Sequence, residues 1–118
     1  MGIDFSHCDA HWAYSGFHRF RVRLASEVGI TLEEMAGFSA RPATSWDDIE
    51  AKDDPIVPLL NHSDCDGVLT PEECKSIAPR LRELVKAWPE EDYDRYQAEM
   101  LAEGMDSAAE EGVALEFC

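Results

Sequence analysis

Residues 62–88 read HSDCDGVLTPEECKSIAPRLRELVKAW, and the fold turns on this run. Its second half places Ile77, Leu81, Leu84, Val85 and Trp88 three and four positions apart, the spacing that lines one face of an α-helix. Thr70, Pro71 and Glu73 mark the start of that helix. The hydroxyl can cap the first free N–H groups, proline suits the first helical position, and the glutamate can reach back to close a capping box. Pro79 lies inside the stripe, where it removes the bond to the Lys75 carbonyl and crowds it, so a kink or split is predicted near Ala78.

Upstream, Phe17, Phe20, Leu24 and Val28 keep the same period, which predicts a helix from about Ala13 to Val28, ended by Gly29. Ile30 precedes Thr31, whose hydroxyl with Glu34 reads as a capping box, and Ile30 with Met35 as a hydrophobic staple on a short helix that stops at Gly37. Ser45 with Asp48 caps a third helix over Trp46–Ala51, after a loop over 38–45. Asp54 and Pro55 start a helix of two turns at most that leads into residue 62. Downstream, Pro89 opens a last helix whose buried side is assigned to Tyr93, Tyr96, Met100, Leu101 and Met105, with Gly104 as its weak point. At the ends, Ile3 and Phe5, then Val113, Leu115 and Phe117, alternate with polar neighbours as short strands do. The expected fold is mainly α: one domain over 1–118, a compact bundle of short helices, and a small two-stranded sheet formed by the N- and C-terminal segments. Its core joins the Ile77–Trp88 face to Phe17, Phe20 and Leu24.

The chain has 118 residues, 45% of them apolar, enough for one core without staples. Its net charge of −15 argues against nucleic acid as a direct ligand, because proteins that grip a phosphate backbone present basic surface. Residues 1–30 balance three arginines against three acids, so the excess lies in residues 31–118 and points to cations or a basic protein partner. No leader-like or membrane-length apolar run occurs, which predicts a cytoplasmic chain without membrane attachment. In that setting Cys8, Cys65, Cys74 and Cys118 read as reduced thiols. Gly2 with Ser6 fits a loose myristoylation pattern that chance explains better.

Chemistry concentrates in residues 62–73. They align with the twelve-position EF-hand calcium loop: His62 first, Asp64 third, Asp66 fifth, Gly67 at the sharp turn, the Val68 carbonyl seventh, Leu69 at the apolar eighth, Thr70 ninth and Glu73 twelfth. The first position normally carries Asp, and an imidazole is a poor ligand for a hard, oxygen-seeking ion. Three carboxylates then remain, which predicts weak binding. The same residues also make a tight turn followed by a capped helix without any metal, and the two readings weigh equally.

Other clusters are thinner. His62, Cys65 and Cys74 could hold zinc, though their spacing does not match paired knuckles. His7 and His11 would share a helical face, but Ser6 with Asp9 also reads as a cap. Arg19, Arg21 and Arg23 are expected to pair with the acidic half, or to grip a phosphate or carboxylate ligand. No phosphate loop, nucleophile elbow or Cys-x-x-Cys pair is present, so catalysis has no positive signature. The functional expectation is a small acidic binding or interaction module taking calcium at 62–73. The alternatives are a metal-dependent enzyme gathering His7, His11 or His62 with Asp64, and an acidic inhibitor or mimic that occupies a basic site on a partner.

Two stretches, Asp4–Arg23 and Leu59–Leu84, resemble a family of small uncharacterised proteins of actinobacteria and their phages. The resemblance covers less than half the chain and implies a bacterial or phage cytoplasmic setting without implying a chemistry.

Overall fold

The computed structural model describes residues 2–38, 41–62 and 67–117. Strands β1 (Gly2–Asp4) and β2 (His11–Ala13) lead into helix α1 (Tyr14–Glu27). Short 3-10 turns then precede a one-turn helix α2 (Val57–Leu60) and strand β3 (Val68–Leu69). Helices α3 (Pro71–Val85) and α4 (Tyr93–Glu111) follow, and strand β4 (Leu115–Glu116) closes the chain.

Each long helix ends where its sequence stops it. Past α1, Gly29 takes φ +79°, and the Ile30 N–H turns back to the Ala25 carbonyl at 2.9 Å. Gly112 closes α4 in the same left-handed conformation. At the head of α3 the capping box is complete: Thr70 Oγ1 accepts from the Glu73 N–H at 3.1 Å, and Glu73 Oε1 accepts from the Thr70 N–H at 2.9 Å. Contrary to the predicted split, α3 runs through Pro79 to Val85. Pro79 and Lys75 both lie on the exposed side, where water can replace the donor that the Lys75 carbonyl loses, while Ile77, Ala78 and Leu81 keep the buried side packed.

The weaker expected helices are reduced to single turns. Leu32–Glu34 is a 3-10 turn, and Thr31 makes no side-chain cap. Ser45 caps Trp46–Asp48 through the Asp47 N–H rather than reaching Asp48. Segments this short cannot offset the cost of helix nucleation by themselves. They instead follow the contacts of Leu32, Met35 and Ile56, all buried.

One continuous core holds these pieces together, and it unites Ile77, Leu81, Leu84, Val85 and Trp88 with Phe17, Phe20 and Leu24 as the spacing predicts. At its centre Trp12 stacks on Phe20 with centroids 4.5 Å apart, and Phe5 meets Phe17 and Phe117 edge to face. The last helix departs from expectation in two ways. It starts at Tyr93 from the Asp92 cap rather than at Pro89, and it buries Gln97, Ala98, Leu101, Ala102, Met105 and Ala108 while Tyr93 and Tyr96 stay exposed. Alanine sets the inner face because small side chains let α4 come close to α3, its most extensive neighbour.

Gly104 shows how close the packing becomes on the other flank of α4. A Cβ built there would stand 2.8 Å from Cys8 Cβ and 2.9 Å from Cys8 Sγ. Helix propensity favours alanine by about 1 kcal/mol, but the clash should prevail, so Gly104→Ala is expected to lower unfolding free energy by roughly 1–2 kcal/mol in urea melts. A stabilised variant would show that the Cys8 turn yields freely.

The termini meet through a bridge between Phe5 and Phe117, and the Ser6 N–H donates to the Glu116 carbonyl at 2.9 Å. Each finds its main partner elsewhere: β1 pairs antiparallel with β2, Ile3 opposite Trp12, and β4 with β3, Leu115 opposite Leu69. Side chains cover the outer polar groups of these short ladders. Gln97 Oε1 takes the His11 N–H at 2.8 Å, the Tyr93 hydroxyl donates to the His11 carbonyl at 2.7 Å, and Ser6 Oγ accepts from the Glu116 N–H at 2.9 Å.

Candidate functional site

The described part of the 62–73 segment is fixed from three sides. Gly67 adopts φ +102°, a conformation that favours glycine and turns the chain sharply into β3. Val68 and Leu69 then lie along Glu116 and Leu115, and the Phe117 N–H donates to the Gly67 carbonyl at 2.9 Å. Thr70 and Glu73 start α3 through their reciprocal cap. The turn, the short strand and the capped helix therefore follow one another directly along the chain.

His62 is held in this frame by its neighbours. Its ring stacks on Phe117, centroids 3.9 Å apart, and Nε2 donates to the Val68 carbonyl at 2.9 Å. A nitrogen that donates a proton to a carbonyl has no lone pair left for a metal. Val68 O keeps a second lone pair beyond this bond. Glu73 Oε1 likewise accepts the Thr70 N–H and keeps a further lone pair, as does Oε2. Asp64 and Asp66 lie outside the described residues.

Arg21 anchors the N-terminal side of the loop. It is 2% exposed, and its Nη1 donates to the carbonyls of Leu59 (3.5 Å), Leu60 (3.3 Å) and His62. The guanidinium also lies 4.8 Å from the Phe17 ring centre. A cleft of about 280 Å³ opens beside it, lined by His18, Phe38, Asn61 and His62 among others. Arg21 thus binds backbone carbonyls at the end of α2. Arg23 does take acids, reaching both Asp92 oxygens at 3.0 Å while its guanidinium sits 3.7 Å over the Trp88 ring.

Burial pushes the Asp92 carboxyl up, but the Arg23 guanidinium and the N–H groups of Arg95 and Asp94 more than offset it and hold the group below the usual carboxylate range. Asp54 follows the same balance, burial opposed by Arg80 and the Ile56 N–H, and also ends low. These acids are structural ties: Asp92 caps α4, and Asp54 binds Arg80 at 2.8 Å.

The histidines go to separate neighbours. His7 stands at φ +70°, 2.7 Å from Ser6 Oγ and 3.6 Å from Glu111, whereas His11 sits on β2 against Asp4 at 2.8 Å. The segment is a turn and a strand rather than a helix, so the shared helical face expected of His7 and His11 does not form. Among the described residues no group of three His, Cys, Asp or Glu side chains is placed to hold a metal. Cys74, one member of the zinc alternative, is fully buried with its thiol 3.8 Å from the Leu69 carbonyl. Burial pushes that thiol up, away from the thiolate that zinc requires. Cys65 lies outside the described residues. No helix among the described residues is long and apolar enough to cross a membrane.

Sequence reasoning missed the pairing of His62 with Phe117, because nothing local links residues 55 positions apart. Arg21 left a signal: it stands four residues after Phe17 and three before Leu24, on the face read as buried. Compared with protein-family models, with curated proteins and with solved structures, the chain shows no match.

Proposed function

We propose that the chain is a small acidic binding module whose 62–73 segment takes a divalent cation, calcium by its oxygen-rich ligand set, with Asp64, Asp66, the Val68 carbonyl, Thr70 and Glu73 as ligands. The observation that carries this reading is the register of the loop's second half. Gly67 turns, Val68 and Leu69 pair with a second strand, and Glu73 sits in the first turn of α3, in the order a calcium loop requires. His62 supports the site indirectly by orienting the Val68 carbonyl. With three carboxylates and no acid at the first position, affinity belongs in the weak range, Kd about 10⁻⁴–10⁻³ M.

Calorimetric titration with calcium chloride tests this directly. Saturable heat is expected, together with a stabilisation of roughly 1.4–2.7 kcal/mol at about 10 mM calcium, and a smaller response to magnesium, which demands stricter octahedral geometry. Asp66→Ala should remove both signals. Absence of heat and of any melting shift with either ion would reduce 62–73 to a turn and a helix cap.

A further inference from the structure

We infer that the outer face of α4's first turns is a docking surface for an arginine-bearing segment of a partner protein. This develops the binding-module reading on a surface separate from the cation loop. Tyr93 and Tyr96 are 56% and 61% exposed, the two most exposed large apolar side chains among the described residues, and they stand three apart on one helical face. Met100, partly buried, continues the stripe one turn on. Two adjacent exposed tyrosines form an aromatic patch of the kind that concentrates binding energy at interfaces, whereas apolar residues scattered singly over a surface need no explanation. The Tyr93 hydroxyl is fixed on the His11 carbonyl, so its ring is held in place before any partner arrives.

Charge selects the occupant. A hollow of about 240 Å³ beside Tyr96 is lined by Glu90, Arg95, Tyr96 and Glu99. Arg95, on the wall of this hollow, donates to the Trp88 carbonyl at 2.6 Å and to Glu99 at 2.8 Å, so its charge is already engaged. Glu90, Glu91 and Glu103 are exposed and form no ion pair among the described residues. A guanidinium laid on the Tyr96 ring beside Glu90 would gain both a cation–π contact and a carboxylate partner, which an acidic or purely apolar segment could not.

The test is an NMR titration at about 150 mM salt with a Gly-Ser peptide carrying three arginines, set against the same peptide with citrulline, which keeps the shape and loses the charge. Shifts confined to residues 90–103 are expected with the arginine peptide alone. Tyr96→Ala and Glu90→Gln should each weaken binding about threefold to tenfold, while Val113→Ser and Asp66→Ala leave it unchanged. Retained peptide binding in Asp66→Ala separates this surface from the cation loop, whatever the fate of the latter. Equal binding of the citrulline peptide, shifts spread over the whole acidic surface, no shifts at millimolar peptide, or full affinity in both folded variants would each overturn the proposal.

Discussion

Replacing Arg21 with alanine is expected to destabilise the protein by roughly 3 kcal/mol or more, a large share of what a domain of this size has to lose. One guanidinium nitrogen serves three carbonyls, those of Leu59, Leu60 and His62, in a place where the side chain is 2% exposed. Alanine leaves those acceptors without their donor, and each buried acceptor without a donor costs about 1–3 kcal/mol. It also removes a positive charge from the C-terminal end of α2, where the helix carbonyls favour one. Lysine should recover part of the loss, because it restores charge without the planar fork. Arg19 is exposed on the same helix, and its alanine variant should change stability by no more than about 0.5 kcal/mol. Urea denaturation of the three variants checks the account, and a cost below about 1 kcal/mol for Arg21→Ala would mean that water reaches these carbonyls.

Leu81→Ala should cost about 2–5 kcal/mol, through lost apolar burial and the cavity left behind. Leu81 has no exposed surface and packs in the core on α3, the helix whose most extensive neighbour is α4. The small residues of α4, Ala98 and Ala102 among them, limit how far the facing wall can move inward to fill the gap, so the upper half of the range is favoured. Glu83 is the natural control: it is exposed on the same helix, and its change to alanine should leave stability nearly unaltered.

How much of this was legible in the sequence depends on the range of the forces involved. The α3 stripe, its Thr70–Glu73 cap, the α1 stripe and the Gly29 stop are local, and local patterns identified them. Periodicity also contained Arg21, but a charge on an apolar face is hard to read as buried until its acceptors are known, and those lie near residue 60. Tyr93 and Tyr96 were misplaced because large aromatics draw the eye to a face, whereas the close approach of two helices selects alanine. The strand partners of the termini were out of reach for a different reason: β1 pairs across a short turn with β2, and β4 across most of α3 and α4 with β3, and nothing in the alternation of Ile3, Phe5, Leu115 and Phe117 names the partner. In the loop, the turn at Gly67 and the Thr70–Glu73 cap were visible. The role of His62 was not, because it depends on Phe117.

His62 is also where the cation reading is most exposed. It occupies the first position of the loop with a nitrogen that donates to Val68 O, so the site lacks the carboxylate that calcium takes there. The decisive measurement is the same calorimetric titration with calcium run on His62→Asp beside the unaltered chain. A fourth carboxylate should tighten binding by about tenfold or more, even though losing the stack on Phe117 costs the variant some stability in the absence of calcium. Equal and negligible heat from both proteins, with the variant folded, would contradict the account.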